Sequence, residues 1–418
     1  MKQEAQINPE TLKHARKREG LSIAALAAKL TVVDAETKLR AWESGASLPS
    51  VAQARALAGH LHVPFTMLFM SPAIVHADEA LPDLRTVSPR GESGKAATKR
   101  KRFSSELRDV YQDALRKQGF VHEQREAQGS EPLAFVGSGR GADSYADGAR
   151  AIRSLLAVTS ADRANASHAE RYLSLLVRRA EAAGVLVLRS STVGANTHRS
   201  LDVDEFRGFA IADDLAPLVF INTADAKAAQ VFTFIHELAH LWRAETGISK
   251  ASLDASNEEA DAEAFCDSVA AEFLVPAREL QGAWISLGQP ISLSGKKSLK
   301  DNVERLFRAF RVGRFVVARR ALDLKLTTRR EFGPYFKEHY RAALKLESLV
   351  SLTGKKANAK SGPVPQGLLI NLRNGESVVG TVTTALRNGE VLWRDAGRLL
   401  GISMNALEKL ARLDGATS

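Results

Sequence analysis

Residues 231–247, "VFTFIHELAHLWRAETG", place three ionisable side chains inside an otherwise largely apolar run. His236 and His240 are four positions apart, and on an α-helix such residues lie on nearly the same face, one turn from each other. Both imidazoles can therefore direct a ring nitrogen at one metal ion. Glu237 is displaced by about 100° around the helix, so it flanks the metal without binding it. This His-Glu-x-x-His spacing predicts a zinc site that activates water, with Glu237 as the general base.

The apolar neighbours of this motif indicate that the helix is buried. Unpaired ionisable groups are costly in such surroundings, so the three side chains need partners. The alternative is a purely structural role, in which both histidines are core residues that donate hydrogen bonds to backbone carbonyls.

A catalytic zinc ion takes a third protein ligand and keeps one position open. The predicted helix over 257–275 carries several carboxylates, of which Glu259 and Glu263 lie on or beside its apolar face. Asp261 and Glu272 are predicted to point into solvent. Glu259 lies in the first turn, where a carboxylate commonly interacts with the helix dipole. We therefore select Glu263 as the third ligand, with Glu259 as the alternative.

Two further residues of this helix bear on the site. Asp267, one turn after Glu263, is a candidate to hold a ligand histidine through a hydrogen bond, although a plain surface carboxylate is the alternative. Cys266 can bind zinc, but a single cysteine on an apolar helix face is more often a core residue.

Composition and segment boundaries indicate an ordinary globular protein with several domains. The chain has 418 residues, 44% of them hydrophobic, and a formal charge of +10, which favours a polyanionic partner such as double-stranded DNA. One cysteine fits a reducing compartment, and neither a signal peptide nor a membrane span is expected, so we predict a cytoplasmic location.

The predicted segments are a helix-turn-helix domain (1–72), a linker (73–105), a metallopeptidase domain (106–290), a helical extension (291–363) and a small helical C-terminal region (364–418).

The first segment contains several short helices separated by Gly and Pro stops. Ser22 is a predicted N-cap, and the helix over 34–43 is the predicted recognition helix. Its candidate DNA contacts are Thr37, Lys38 and Arg40, whereas Leu39 and Trp42 are predicted core residues. A basic run in the linker, Lys99 to Arg102, can contact phosphate but is more simply solvated charge.

Several stretches of the chain together resemble the ImmA/IrrE family of metallopeptidases, in the form with an N-terminal Xre-type helix-turn-helix. They are "TKLRAWESGASLPS", "HVPFTMLF", "LPDLRT", "EPLAFVGS", "FRGFAIADDLAPLVFINTADAKAAQVFTFIHELAHLW" and "EAFCDSVAAEFLVP". The resemblance implies one zinc ion held by His236, His240 and Glu263, and cleavage of a helix-turn-helix repressor that derepresses stress or mobile-element genes. Ile23 departs from the Gln usual at this position in Xre relatives, which leaves base-specific readout open.

The predicted fold is mainly α with a small β-sheet (α+β): an all-α helix-turn-helix domain, a zincin-like peptidase domain and a helical C-terminal region. Strands are predicted within 185–191, 206–213 and 217–223 because short apolar or alternating runs are bounded there by polar turns. Two other functions remain open: a non-proteolytic regulator whose zinc domain senses a ligand or scaffolds a homodimer, and a toxin–antitoxin component.

Overall fold

The computed structural model describes residues 4–19, 21–61, 63, 65–71, 103–249, 258–287, 299–338 and 366–415. These residues form two compact units, the first containing those up to residue 109 and the second those from residue 110 onwards. The predicted basic run Lys99 to Arg102, the predicted linker before residue 103 and the first residue of the helix predicted over 257–275 lie outside the described residues.

The first unit is helical, and short polar side chains start its helices. Asn8, Ser22 and Ser50 each accept backbone N–H groups at a helix start, as N-caps do, and for Ser22 this confirms the prediction. The elements are α1 (Pro9–Arg18), α2 (Ile23–Ala27), α3 (Ala35–Ser44), α4 (Val51–His60), a 3-10 turn (Phe65–Phe69) and the first residues of α5 (Ser105–Ala127).

Two kinds of contact hold this unit together. Leu39 and Trp42 are buried in its apolar cluster, as predicted. Arg16 on α1 donates two hydrogen bonds to the Glu43 carboxylate on α3, at 2.5 and 2.8 Å. This fork geometry is the strongest form of ion pair available to a carboxylate, and here it fixes α1 against α3.

The second unit is mostly helical with a small mixed sheet, so the α+β prediction is confirmed. The three predicted strands are present, whereas three short strands, at residues 192–193, 196–200 and 247–249, were not predicted. Its elements after α5 are α6 (Tyr145–Leu156), α7 (Ser160–Asn165), α8 (Ala169–Ala182), β1 (Leu186–Ser190), β2 (Thr192–Val193), β3 (Asn196–Ser200), β4 (Gly208–Ile211), β5 (Leu218–Asn222), α9 (Lys227–Arg243), β6 (Gly247–Ser249), α10 (Glu258–Leu274), α11 (Ala277–Ser286), α12 (Leu299–Phe310), α13 (Arg314–Asp323), α14 (residues 329–338), α15 (Gln366–Asn374), α16 (Glu376–Arg387), α17 (Trp393–Leu400) and α18 (Met404–Gly415).

The helix α9 lies at the centre of this unit. The four-stranded sheet has the order β1-β5-β4-β6, with β1 and β5 parallel and the other pairs antiparallel. The helix contacts β4 and β5 as well as α6, α8 and α10. All residues of β1, β4 and β5 are buried. The histidine motif is therefore carried by a helix that the rest of the unit holds in place.

Glycines fix the C-terminal end of α9. The N–H of Gly139 donates to the Trp242 carbonyl at 2.9 Å and so satisfies an acceptor near the end of the helix, and the N–H of Gly137 donates at 3.1 Å to the Leu241 carbonyl, which also accepts the N–H of Ala244. A Cβ on Gly139 would lie 2.3 Å from the Trp242 ring, and one on Gly148 2.9 Å from it. Only glycine lets these backbones approach the indole so closely.

Glu272 on α10 contradicts its predicted role as a solvent charge. Its side chain is only 16% exposed, forms an ion pair with the buried Arg320 of α13 and accepts the N–H of Ala277. Asp261 is exposed, as predicted. Arg320, the partner of Glu272, lies 48 positions away in the sequence. Helical periodicity gives no information about contacts between residues so far apart in the chain.

The helices α15 and α16 pack against β1. Between them, Gly375 has φ +79°, and a Cβ there would lie 2.8 Å from the Val187 carbonyl oxygen. The next turn is anchored by Glu181 of α8, whose carboxylate accepts the N–H of Ser377 at 3.2 Å. Burial raises the pKa of Glu181 to about 7, although the backbone N–H of Ser377 works against the shift.

We expect Glu181→Gln to stabilise the protein at pH 8 but not near pH 4. The folded-state pKa of about 7 exceeds the unfolded value of about 4.3, so wild-type stability falls as pH rises between these values and is flat above them. Glutamine keeps an acceptor for Ser377 without the buried charge. The gain in unfolding free energy at pH 8 should be on the order of 3 kcal/mol, because the two pKa values differ by about 2.7 units. Urea unfolding midpoints of both proteins at the two pH values measure it, and equal midpoints at pH 8 contradict it.

Among the described residues, no helix combines the length and the apolar character needed to cross a membrane.

Candidate metal centre

The structure brings His236 and His240 together on one face of α9. Both residues are 4% exposed, and their Nε2 atoms lie 3.0 Å apart. The intervening turn of helix is held by its packing, because almost every residue from Gln230 to Trp242 is buried. The imidazoles consequently have little freedom to turn away from each other.

Glu263 of α10 completes a triangle of donor atoms. Its Oε2 lies 3.1 Å from His236 Nε2, and its Oε1 lies 3.3 Å from His240 Nε2. In a tetrahedral site with bonds of about 2.0–2.1 Å, ligand atoms are about 3.3 Å apart. The separations of these three donors are thus close to those of a zinc site. The side chain of Glu259, the alternative ligand, lies outside the described residues.

Two outer carboxylates fix the orientation of the histidine rings. Asp267 Oδ1 lies 2.9 Å from His236 Nδ1, and Glu245 Oε2 lies 3.3 Å from His240 Nδ1. An ionised carboxylate only accepts hydrogen bonds, so each Nδ1 carries the proton and each Nε2 of a neutral ring presents a lone pair. Such carboxylate–histidine pairs are typical of metal ligands.

Three acceptors therefore converge on one point: two imidazole lone pairs and the Glu263 carboxylate. Acceptors at this separation repel each other unless a proton or a metal cation lies between them. A divalent cation satisfies all three at once, whereas protons satisfy them one by one. The donor set of two nitrogens and one oxygen suits zinc.

The electrostatics of the site favour positive charge. Burial lowers the pKa of His236, but hydrogen bonds to Asp267 and Glu263 outweigh it and hold that pKa well above its usual value. For His240, the effect of burial on the pKa is likewise outweighed, by Cys266, Glu245 and Glu263. Burial raises the pKa of Glu263, yet the two histidines hold it well below the usual range. Without a metal, the carboxylates stabilise protons on the two imidazoles. A cation bound here would replace those protons as the source of positive charge.

Glu237 lies beside the ligands, against the sheet. It is fully buried, and a Cβ built on Gly208 of β4 would lie 3.0 Å from its Oε1 and 2.8 Å from the Phe220 carbonyl oxygen. The strand thus has a glycine where the carboxylate approaches it. The Glu237 carboxylate does not belong to the converging ligand set. It lies beside the ligands without being one of them, as a proton acceptor for a metal-bound water must.

Residues 180–322 match the family model described as the IrrE N-terminal-like domain. The match contains both histidines, Glu237 and Glu263, and it supports a metallopeptidase of the ImmA/IrrE type, for which zinc is the typical metal. No curated protein and no solved structure matches the chain significantly. The first unit and the region from α15 onwards lie outside the matched residues.

Glu245, within the IrrE-like segment, was not predicted as a site residue. The helix α9 ends at Ala244, whose left-handed φ of 55° turns the chain so that the Glu245 N–H donates to the His240 carbonyl at 2.9 Å. Arg243 Nε then donates to Glu245 Oε1 at 2.8 Å and steadies the carboxylate. No glycine marks this helix end, so the sequence carried no signal that residue 245 folds back onto His240.

Cys266 is fully buried, as predicted for a core residue. Its Sγ lies 3.7 Å from His240 Nδ1, on the same side of the ring as Glu245. Because Nδ1 faces away from the converging triangle, Cys266 belongs to the surroundings of His240 and not to the zinc ligands.

We expect Glu245→Ala to weaken zinc binding by about 10- to 100-fold, the usual scale for losing a carboxylate behind a ligand histidine. Without it, the His240 ring loses the partner that selects its tautomer. Competition with a chromophoric chelator measures the affinity. Asp261→Ala, on the exposed side of α10, is the matched control and should bind zinc like the wild type. Equal affinities for the two variants would exclude the positioning role.

The candidate DNA contacts lie on α3 in the first unit. Thr37, Lys38 and Arg40 are all exposed. Arg40 donates a hydrogen bond to Glu36 at 2.6 Å, so its charge is partly compensated. Lys38 is therefore the stronger candidate for contacting phosphate.

Proposed function

We propose that this protein is a zinc-dependent endopeptidase with one metal ion per chain. The observation that carries the proposal is the convergence of His236, His240 and Glu263 on one point with the buried Glu237 carboxylate alongside. Three protein ligands leave a fourth position for water or substrate, which is typical of catalytic and not of structural zinc. The match to the IrrE N-terminal-like domain supports the same interpretation.

When bound, the zinc ion supplies the Lewis acidity that activates water and polarises the scissile carbonyl. Glu237 accepts the proton of the attacking water and later delivers it to the leaving amine. Asp267 and Glu245 keep the two imidazoles in the tautomer whose Nε2 faces the site.

The ligand on α10 is more exposed than the two histidines of α9. The side chains of His236 and His240 are 6% and 5% exposed, whereas those of Glu263 and Asp267 are 31% and 60% exposed. Of the three ligands, Glu263 has the most exposed side chain, so we propose that a polypeptide approaches the ligands past this residue of α10.

We further propose that the first unit binds double-stranded DNA and that the substrate is a helix-turn-helix repressor. Exposed Thr37, Lys38 and Arg40 on α3 support contact with the phosphate backbone. Joining such a unit to a peptidase suits an enzyme that acts on a transcriptional regulator and so derepresses stress or mobile-element genes in the cytoplasm.

The test is to incubate the zinc-loaded protein with the purified repressor encoded beside its own gene. We expect a discrete cut that a chelator prevents and added zinc restores. An intact repressor under all conditions, together with normal induction of the neighbouring genes, would favour the non-proteolytic regulator instead.

A further inference from the structure

The last three helices of the second unit form a module outside the peptidase match. We call α16, α17 and α18 the C-terminal module. All three helices contact one another. The helix α17 ends at Leu400 and α18 begins at Met404, so the connection is residues 401–403. A three- to four-residue turn containing glycine, between two helices packed on a third, is the arrangement of helix-turn-helix domains.

Local hydrogen bonds fix this turn. Gly401 has φ +62° and ends α17, and the N–H of Ile402 donates to the Gly397 carbonyl at 3.0 Å. Ser403 then starts α18, because its carbonyl accepts the N–H of Leu407 at 3.0 Å and its hydroxyl accepts that of Ala406 at 3.4 Å. Because α17 ends and α18 begins within three hydrogen-bonded residues, the angle between the two helices is fixed by the turn.

Packing between the two helices also follows this arrangement. A Cβ on Gly397 would lie 3.3 Å from the Ile402 carbonyl oxygen, so the helices meet at a position without a side chain. The inward positions are apolar and buried: Ala396, Leu400, Ala406, Leu407 and Leu410. The small residue, the turn glycine and the apolar positions after it are all visible in "DAGRLLGISMNALEKL", a stretch for which only a small helical region was predicted.

We infer that the C-terminal module binds double-stranded DNA with α18 in the major groove. The outer side of α18 carries exposed polar residues that can reach base edges and phosphates: Asn405, Glu408, Lys409 and Arg412. A helix with its side chains is about 10–12 Å wide and the major groove is about 12 Å wide. An Asn side chain can pair with both hydrogen-bonding groups of an adenine edge.

Charge on this surface suits a polyanion. Besides Lys409 and Arg412, the first helix of the motif exposes Arg394 and Arg398. The single acid nearby on that helix, Asp395, already accepts from Arg394 at 3.2 Å and lies 4.0 Å from Arg398. Cations consequently outnumber acids on α17 and on the described outer face of α18, as phosphate contact requires.

The first unit follows the motif less closely. Its α2 has five residues, and seven positions, 28–34, separate it from α3. Arg40 there is bonded to Glu36. Of the two helical modules, the C-terminal one has the shorter turn, and its second helix carries two exposed cations, Lys409 and Arg412. The inferred DNA binding is therefore assigned to the C-terminal module in addition to the first unit.

The experiment measures binding of the full-length, zinc-loaded protein to a fluorescent duplex of mixed sequence by anisotropy, over a range of salt concentrations. Lys409→Ala/Arg412→Ala should raise Kd on the order of tenfold and reduce the slope of log K against log[salt] by about two, because two phosphates are no longer neutralised. Arg329→Ala/Arg330→Ala, two exposed cations of α14, removes the same charge elsewhere and should leave both quantities unchanged. Asn405→Ala should reduce preference among sequences without changing the slope.

Each of four outcomes would overturn the inference, three with the variants above and one with a variant of the first unit. The wild type fails to bind the duplex, both double variants weaken binding equally, or Lys409→Ala/Arg412→Ala alters only the oligomeric state. A parallel Lys38→Ala/Arg40→Ala variant reports on the first unit: if it alone abolishes binding while the C-terminal variant is silent, the C-terminal module does not contact DNA. All variants change exposed residues, and circular dichroism verifies their fold. Glu237→Gln should bind DNA normally, so failure here is separable from failure of the peptidase proposal.

Discussion

Glu237→Gln is expected to lower the rate of repressor cleavage by about 10²- to 10⁴-fold, the usual scale for removal of a general base. Glutamine has nearly the same shape and fits the space beside Gly208, where the Glu237 carboxylate lies in the wild type. It cannot accept a proton from water. Since the carboxylate is not among the converging ligands, zinc content should stay at one ion per chain.

Single-turnover cleavage and metal content, measured on the same preparation, separate this result from simple unfolding. Asp261→Asn makes the same acid-to-amide change at an exposed position of α10 and should cleave at the wild-type rate. In cells, the Glu237→Gln strain should keep the repressor full-length and fail to induce the neighbouring genes. Normal induction in that strain, with a deletion strain inactive, would show that proteolysis is not the function.

His236→Ala is expected to lose most of the bound zinc. Structural zinc sites bind with about 10–16 kcal/mol over four ligands, so one ligand contributes about 3 kcal/mol, or about two orders of magnitude in affinity. The loss here is compounded because Glu263 Oε2 and Asp267 Oδ1 lie 3.1 and 2.9 Å from this imidazole, and both carboxylates lose their partner. Dialysis against a buffered zinc concentration, followed by elemental analysis, measures the effect. His240→Ala should behave in the same way.

The third ligand is tested by comparing two carboxylates of α10. Glu263→Ala should lower zinc affinity as strongly as the histidine changes, whereas Glu259→Ala should leave it unchanged. The reverse result would move the ligand to Glu259. A full zinc load after His236→Ala and after His240→Ala would remove the metal assignment altogether.

The sequence by itself determined the main helices and strands of the peptidase region and which side chains share a helix face. Helical spacing alone placed His236 and His240 one turn apart and Glu237 beside them, because these residues belong to one continuous helix. The same reasoning chose Glu263 from the carboxylates of α10, and the structure places it at 3.1 Å from His236 Nε2. The three main strands followed from short apolar runs between polar turns.

Only the tertiary structure decided what surrounds the ligands. Asp267 was a candidate partner of a ligand histidine from the sequence, but its choice over a plain surface carboxylate depends on how α10 crosses α9. The pairing of Glu245 with His240 depends on a left-handed turn at Ala244, where the sequence has no glycine. Glu272 was predicted as a solvent charge because its place on the helix pointed outward, yet Arg320 of α13 covers it. Helical periodicity shows which side chains share a face of the helix. The segments that pack against that face come from distant parts of the sequence, and their position depends on the packing of the whole unit.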